Sequence, residues 1–424
     1  MTLIKTSLLN GISVVIKMMT LLGLNKVLAI YVGPIGYAAL GQFQNAVQMI
    51  TSLASGAINT GVTKYTAEYH NDECKQQKVW RTAGTVTLIG SLIAAVLVCL
   101  LNRSLARWFL NDENLGSVFL WFAATLVFFV FNTLLLAILN GKKEIKLYVI
   151  ANISGSLFAL LVTTIMAIQL GLYGALVALA IYQSLAFFAT YWICRKADWF
   201  KLKHLIGSID KEVARNLLKY TAMALTSAAC VPLSHIFIRS YLGETLGWEA
   251  AGYWEAMWRL SAAYLMLVTT TLSVYYLPKL SELDSVDQIK KEIISGYRII
   301  LPIAAMCGLL MYLLREFIIG LLFTPEFAAM EVLFGWQMVG DVLKIGSWIL
   351  AYLMLGKAMF KLFIVSEILF AFSFYVLVVL LTDSVGFIGV SIAHAINYFF
   401  YWVVMIYFIS RFLRNQHAEE LVER

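Results

Sequence analysis

Asp341 and Lys344 stand three residues apart in the stretch Gly335-Trp-Gln-Met-Val-Gly-Asp-Val-Leu-Lys-Ile-Gly-Ser-Trp348, inside an apolar run from about Ala328 to Leu355. That run is long enough to cross a bilayer, which takes roughly 20 residues. A charged side chain near the centre of such a helix costs about 2.5–3.5 kcal/mol on insertion scales. The i, i+3 spacing puts both groups on one helix face, where they can pair. That face is expected to look into protein or a water-filled cavity. Two chemistries follow: an ion pair locking two helices together, or a polar patch in a transport cavity.

Other apolar stretches carry similar groups. Lys17 and Lys26 lie in the first one. Lys17 is about 15 Å along a helix from Ser7 at 1.5 Å per residue, near the midplane. Lys26 lies closer to the outer face and within snorkelling reach. Gln42, Gln44, Asn45 and Gln48 form a polar stripe in the second stretch, suited to interhelical hydrogen bonds or to sugar hydroxyls. Asn132, Asn152 and Gln183 read first as packing groups. The seventh stretch holds Pro232, which predicts a kink, followed by His235 and Arg239. In the eighth, Trp254 and Trp258 are i, i+4, and so are Glu255 and Arg259. The tryptophans suit an interfacial belt or a platform for a sugar ring with an adjacent cation. Glu367 and the pair His394 and Asn397 follow in the last two stretches. Lys17, Lys26, Arg239, Arg259, Trp254, Asp341 and Lys344 are the candidate substrate-binding residues. Asp341, Glu367 and His235 are the candidate coupling residues. Cations outnumber carboxylates, which suits an anionic substrate.

The elements that position these groups are membrane spans. The 424 residues are 61% hydrophobic and 13% charged, where a soluble domain carries about 25% charged residues. Twelve spans are expected between about residues 8 and 410. The N-terminal stretch has no A-x-A-like cleavage site and reads as a span that stays. Connections alternate in charge. One set, with both termini, holds about 24 of the 32 Lys and Arg, so the positive-inside rule puts both termini in the cytoplasm. The net charge of +7 is mainly this topology signal, with contact to anionic headgroups. Five cysteines without C-x-x-C spacing suggest neither a disulfide framework nor a zinc site. No metal, cofactor or nucleic acid is expected, and no loop is long enough for a soluble catalytic domain.

The chain repeats. Gly171-Leu-Tyr-Gly174 recurs as Gly386-Phe-Ile-Gly389, and Gly141-Lys-Lys-Glu-Ile-Lys-Leu-Tyr-Val-Ile150 as Gly356-Lys-Ala-Met-Phe-Lys-Leu-Phe-Ile-Val365, both offset by 215 residues. Trp121 and Trp336 share that offset, as do Lys64 and Lys279. Leu3-Ile-Lys-Thr-Ser7 resembles Leu217-Leu-Lys-Tyr-Thr221 at an offset of 214. Six spans per half make a parallel repeat, with a substrate site expected between halves. The expected fold is all-α, two six-helix bundles comprising residues 1–205 and 206–424. The basic segment 195–217 would link them, with an interfacial helix from Ile206 to Leu218.

Three motifs carry a family resemblance: Gly61-Val-Thr-Lys-Tyr-Thr-Ala-Glu-Tyr-His70, Ser273-Val-Tyr-Tyr-Leu-Pro278 and Trp336-Gln-Met-Val-Gly-Asp-Val-Leu-Lys344. They resemble the Wzx-type lipid-linked oligosaccharide flippases, polysaccharide transporters of the MOP superfamily, over essentially the whole chain. Lys17, Lys26, Arg239, Asp341 and Lys344 fall on matching residues; Arg259, Trp258 and Gln44 depart from the pattern. The resemblance implies the V-shaped MATE-like fold and a Gram-negative inner-membrane location. It implies alternating-access transfer of an undecaprenyl-pyrophosphate-linked repeat unit, an O-antigen unit or enterobacterial common antigen lipid III, to the periplasmic leaflet. It also implies the polymerase Wzy and chain-length regulator Wzz as partners, and no enzymatic activity. A cation-coupled drug exporter of the same fold is the alternative, though it would favour an acidic site. A membrane glycosyltransferase or polymerase lacks support from any paired-carboxylate or metal motif.

Overall fold

The computed structural model describes residues 3–276, 279–280, 283, 285–357 and 359–422. Leu277 and Pro278, the end of the second motif, lie outside the described residues. Helices account for nearly all of the chain, and no strand occurs among the described residues. This follows from solvent: in hydrocarbon every backbone N–H and C=O must be paired within the segment.

The first compact unit comprises residues 1–236. It holds α1 (Leu3–Tyr31), α2 (Gly33–Ala54), α3 (Asn59–Glu68), α4 (Glu73–Leu100), α5 (Asn102–Leu110), α6 (Gly116–Gly141) and α7 (Ile145–Cys194). The central helix is α6. Its Phe119, Phe122, Leu126, Leu134 and Ile138 are wholly buried, and Asn132 Nδ2 donates to Gln183 Oε1 of α7 at 2.8 Å. Asp72 caps α4 by accepting from the Lys75 amide at 3.0 Å. That backbone hydrogen bond holds the exposed Asp72 carboxyl below the usual carboxylate range.

The second unit comprises residues 237–424. The long α8 (Lys211–Leu246) passes from the first unit into it. There follow α9 (Trp248–Thr271), a π-helical turn at Leu272–Tyr276, α10 (Val286–Leu313), α11 (Arg315–Leu322), a 3-10 stretch Pro325–Leu333, α12 (Phe334–Gly356), α13 (Phe360–Val385) and α14 (Gly389–Val422).

Among the described residues, eight helical segments are long and apolar enough to cross a membrane. Two of them run too far for one crossing. The α7 segment has 50 residues, about 75 Å at 1.5 Å per residue, and is broken at Gly171 (φ 56°, ψ −134°). The segment Phe360–Gln416 is α13 and α14 with a break at Gly386 (φ 74°, ψ −156°). Only glycine adopts that backbone region readily. Helices α2 and α9, of 22 and 24 residues, are long enough but too polar to fall among the eight.

The duplication is visible in backbone detail. Glu144 (φ −78°, ψ 60°) and Met359 (φ −78°, ψ 61°) precede α7 and α13 in the same conformation. The amide of Glu144 donates to Leu139 O at 3.0 Å, and that of Met359 to Met354 O at 2.8 Å. Positive φ at Gly33 and Gly247 ends α1 and α8 alike.

The segment joining the halves departs from expectation. No interfacial helix spans Ile206 to Leu218; residues 205–210 are irregular and α8 begins at Lys211. Residues 204–210 lie on α4 instead. Thr85 Oγ1 donates to Gly207 O at 2.9 Å, and the Asp210 amide donates to Thr82 Oγ1 at 3.1 Å. A Cβ on Gly84 would stand 1.7 Å from Leu205 O, so the chain seats only on glycine. Hydrogen bonding to these hydroxyls is what competes with helix here.

Candidate functional site

A buried polar cluster lies in the second unit, where α9, α12, α13 and α14 meet around Asp341. Residues spaced i, i+3 or i, i+4 share a helix face, and three such series converge: Trp254, Trp258 and Ser261 on α9; Gln337, Asp341, Lys344 and Trp348 on α12; His394, Asn397, Tyr398 and Tyr401 on α14.

Asp341 is fully buried. Its Oδ2 accepts from Tyr264 Oη at 2.8 Å, and its Oδ1 lies 3.0 Å from His394 Nε2. An ionised carboxylate only accepts, so His394 donates from Nε2–H. Gln337 Nε2 adds contacts of 3.4 Å to both Asp341 Oδ1 and Ser261 Oγ. The histidine reaches this position because residue 340 is glycine: a Cβ there would stand 2.2 Å from His394 Cδ2. His394 is itself fully buried, and its Nδ1 has no hydrogen-bond partner.

Lys344 does not pair with Asp341; among the described residues no ion pair joins them. The carboxylate is filled by Tyr264 and His394, and the ammonium instead lies over three rings. Its Nζ is 4.5 Å from the Trp258 centroid, 4.9 Å from Trp348 and 5.6 Å from Tyr398. Each such contact stabilises a cation by about 0.5–2 kcal/mol, most when desolvated. Glu367 is half-buried on α13.

A second cluster adjoins the first through tryptophan. Arg239, only 1% exposed, sits 3.4 Å from Glu255 Oε2, and Arg259 Nε donates to Glu255 Oε1 at 2.8 Å. Arg239 Cζ lies 5.7 Å from the Trp254 ring, and Trp254 meets Trp258 edge-on at 5.9 Å. Trp254 is wholly buried. It backs the Arg239 guanidinium. One carboxylate serves two guanidinium groups, and Arg239 Nε finds no hydrogen-bond partner. Across both clusters the cations Arg239, Arg259 and Lys344 stand with the carboxylates Glu255, Asp341 and Glu367, and guanidinium and ammonium donors suit an oxyanion.

The remaining candidates belong to the first unit. Lys17 is half-buried and donates to Asn152 Oδ1 at 3.0 Å, so Asn152 positions a cation. Lys26 is half-buried on α1, and His235 half-buried on α8. The α2 stripe divides: Gln42 Nε2 donates to Ile236 O at 3.2 Å and Asn45 Nδ2 to Pro232 O at 3.4 Å, while Gln44 and Gln48 are exposed. Tyr264, Trp348 and Tyr398 were missed from sequence. Aromatic residues at helical spacing signal packing as readily as a cation box, and only the position of Lys344 distinguishes them.

This arrangement sits in a known fold. An inward-facing MATE-family multidrug resistance transporter of the MOP superfamily matches with a TM-score of 0.77 at 15% identity, over 95% of this chain and 96% of that one. An outward-facing one matches at 0.70 and 17% identity, over 96% of both. The protein is therefore an all-α, multi-pass membrane protein with the MOP-superfamily transporter fold. The model of the family described as polysaccharide biosynthesis protein matches residues 3–284. The lipid III flippases of Escherichia coli (strain K12) and Shigella flexneri are each 31% identical over 369 residues, 87% of this chain and 88% of theirs. The chain belongs to the polysaccharide biosynthesis protein family. Within the Wzx flippases its motifs resemble the enterobacterial common antigen flippase WzxE, in agreement with these relatives.

Proposed function

We propose that this protein is a flippase that moves an undecaprenyl-pyrophosphate-linked oligosaccharide repeat unit, lipid III or an O-antigen unit, from the cytoplasmic to the periplasmic leaflet. It is a transporter and not an enzyme. The observation that carries the reading is the buried cationic cluster of Arg239, Arg259 and Lys344, in which one carboxylate, Glu255, serves both guanidinium groups. A pyrophosphate and its sugars cannot cross hydrocarbon unaided, because each unpaired polar group costs several kcal/mol there. Arg239 and Arg259 offer guanidinium donors for phosphate oxygens; Lys344 offers a compact charge on an aromatic wall. Lys17 and Lys26 supply cations from the first half. Asp341, with Glu367 and His235, is the coupling group, and alternating access carries the head group while the lipid tail stays in the membrane.

The same reading takes twelve crossings in two halves, residues 1–205 and 206–424, in a Gram-negative inner membrane with both termini cytoplasmic. The charge asymmetry of the connections supports it. The polymerase Wzy and chain-length regulator Wzz are the expected partners downstream. The test is reconstitution in vesicles with isoprenoid-pyrophosphate oligosaccharide, scoring head-group movement between leaflets. Wild type should move it and Arg239→Gln should not; a wild-type protein that leaves it in place would refute the assignment.

A further inference from the structure

Residues 195–210 and the start of α4 enclose a second basic cluster, separate from the polar cluster of the second unit. The stapling of this segment through Gly84, Thr82 and Thr85 fixes the stem of Arg81 against Gly207, its Cδ 3.1 Å from where a Cβ on that glycine would stand. His204 is 7% exposed, yet its Nδ1 has no hydrogen-bond partner; nor has Arg81 Nε or the nearby Trp199 Nε1. Three orphaned polar groups in one small region are costly unless something pairs with them. Burial first, then the charges of Arg81, Lys203 and Lys201, hold the His204 imidazole below the usual histidine range, with Glu73 acting the other way. Lys142 Nζ lies 5.7 Å from the Trp199 ring and 5.9 Å from Trp80. Around this cluster Leu202, Ile206 and Ile209 are exposed and alternate with exposed Lys201 and Lys203. Apolar side chains interleaved with lysines are what a membrane interface accepts.

We propose that Arg81, His204, Lys201 and Lys203 form a binding site for the phosphate of an anionic phospholipid, with Leu202, Ile206 and Ile209 seated among its neighbours' acyl chains. The guanidinium gives a charge-assisted hydrogen bond to a phosphate oxygen, and neutral His204 gives an N–H to another. A lipid phosphate is chosen over free phosphate because the exposed apolar residues ring the cations. This inference does not depend on the flippase reading.

The test uses the full chain in nanodiscs of phosphatidylcholine with and without phosphatidylglycerol, counting retained lipid by native mass spectrometry. Arg81→Met keeps the stem against Gly207 and His204→Phe keeps a ring in the buried position; each should lower phosphatidylglycerol retention about tenfold, which corresponds to about 1.4 kcal/mol. Lys143→Gln, an equal charge loss on another exposed basic turn, should leave it unchanged. A bound anion stabilises the imidazolium, so wild-type retention should strengthen as pH falls below the usual histidine range, toward the lowered titration of free His204, and His204→Phe should abolish that rise. Retention insensitive to both variants would overturn the proposal. So would competition by millimolar inorganic phosphate in the absence of any preference for phosphatidylglycerol, which would indicate a free-phosphate site. Thermal stability of each variant in phosphatidylcholine alone shows whether the fold is kept, and a loss in Arg81→Met leaves His204→Phe to decide.

Discussion

Gly340 decides whether Asp341 keeps its histidine. A methyl group at this position would collide with His394 Cδ2, 2.2 Å from the ideal Cβ, and the ring would have to leave the carboxylate. Gly340→Ala should therefore destabilise by about 1–3 kcal/mol, as overpacking in a tight core does. The double variant Gly340→Ala with His394→Ala should recover most of the packing loss in thermal unfolding; if it is no more stable than Gly340→Ala alone, the clash is elsewhere. The separation of Asp341 from Lys344 makes another prediction at this scale. An isolated buried ion pair would lose about 3–5 kcal/mol on removal of one partner and regain it on removal of both. Here the two groups have different partners. Asp341→Asn and Lys344→Gln should show a coupling free energy below about 1 kcal/mol in a double-mutant cycle. The doubly neutral protein should reach the membrane folded yet fail in glycan display on cells. A stable, fully active double variant would reduce the pair to packing.

Among the elements, the paired hairpins repeat one solution twice. Gly171 and Gly386 hold backbone angles that a side chain resists, and each lets a chain that would otherwise continue as helix reverse. Gly171→Ala and Gly386→Ala should each cost about 1–3 kcal/mol of stability, read as loss of membrane abundance and of thermal midpoint. A Cβ on Gly171 would stand 4.0 Å from its nearest neighbour, Tyr31 O, and one on Gly386 would meet nothing within 4 Å, so the cost is conformational. Equal stability of either alanine variant and wild type would mean that the turn relaxes into a helix-compatible form. The segment before α8 shows the opposite case. Its alternation of apolar and charged residues matches an amphipathic helix, but Gly84, Thr82 and Thr85 of α4 offer a seat that extended and turn backbone fits better.

At the scale of the molecule, the charge distribution predicts the orientation. Reporter fusions at Gln416 and near Ser208 should both score as cytoplasmic, because the basic connections alternate with spans from one end of the chain to the other. A periplasmic score at either point would reverse the direction of transport assigned here.

The sequence by itself determined the solvent and the architecture. Composition, span-length apolar runs and a residue offset of 215 are each local or periodic quantities, and a bilayer leaves a helix as the only continuous answer to them. Buried charges were legible for the same reason: Asp341, Lys344 and Arg239 stand out wherever hydrocarbon is the background. Tertiary structure alone decided their partners. Helical spacing said that Asp341 and Lys344 share a face, but not that Tyr264 and His394, 77 and 53 residues away, would claim the carboxylate. It marked Trp254 and Trp258 as a pair, but not that one would be buried behind Arg239 while the other walls Lys344. Hydrogen bonds and ring contacts depend on which faces of different helices meet, and that choice is made by side chains far apart in the chain.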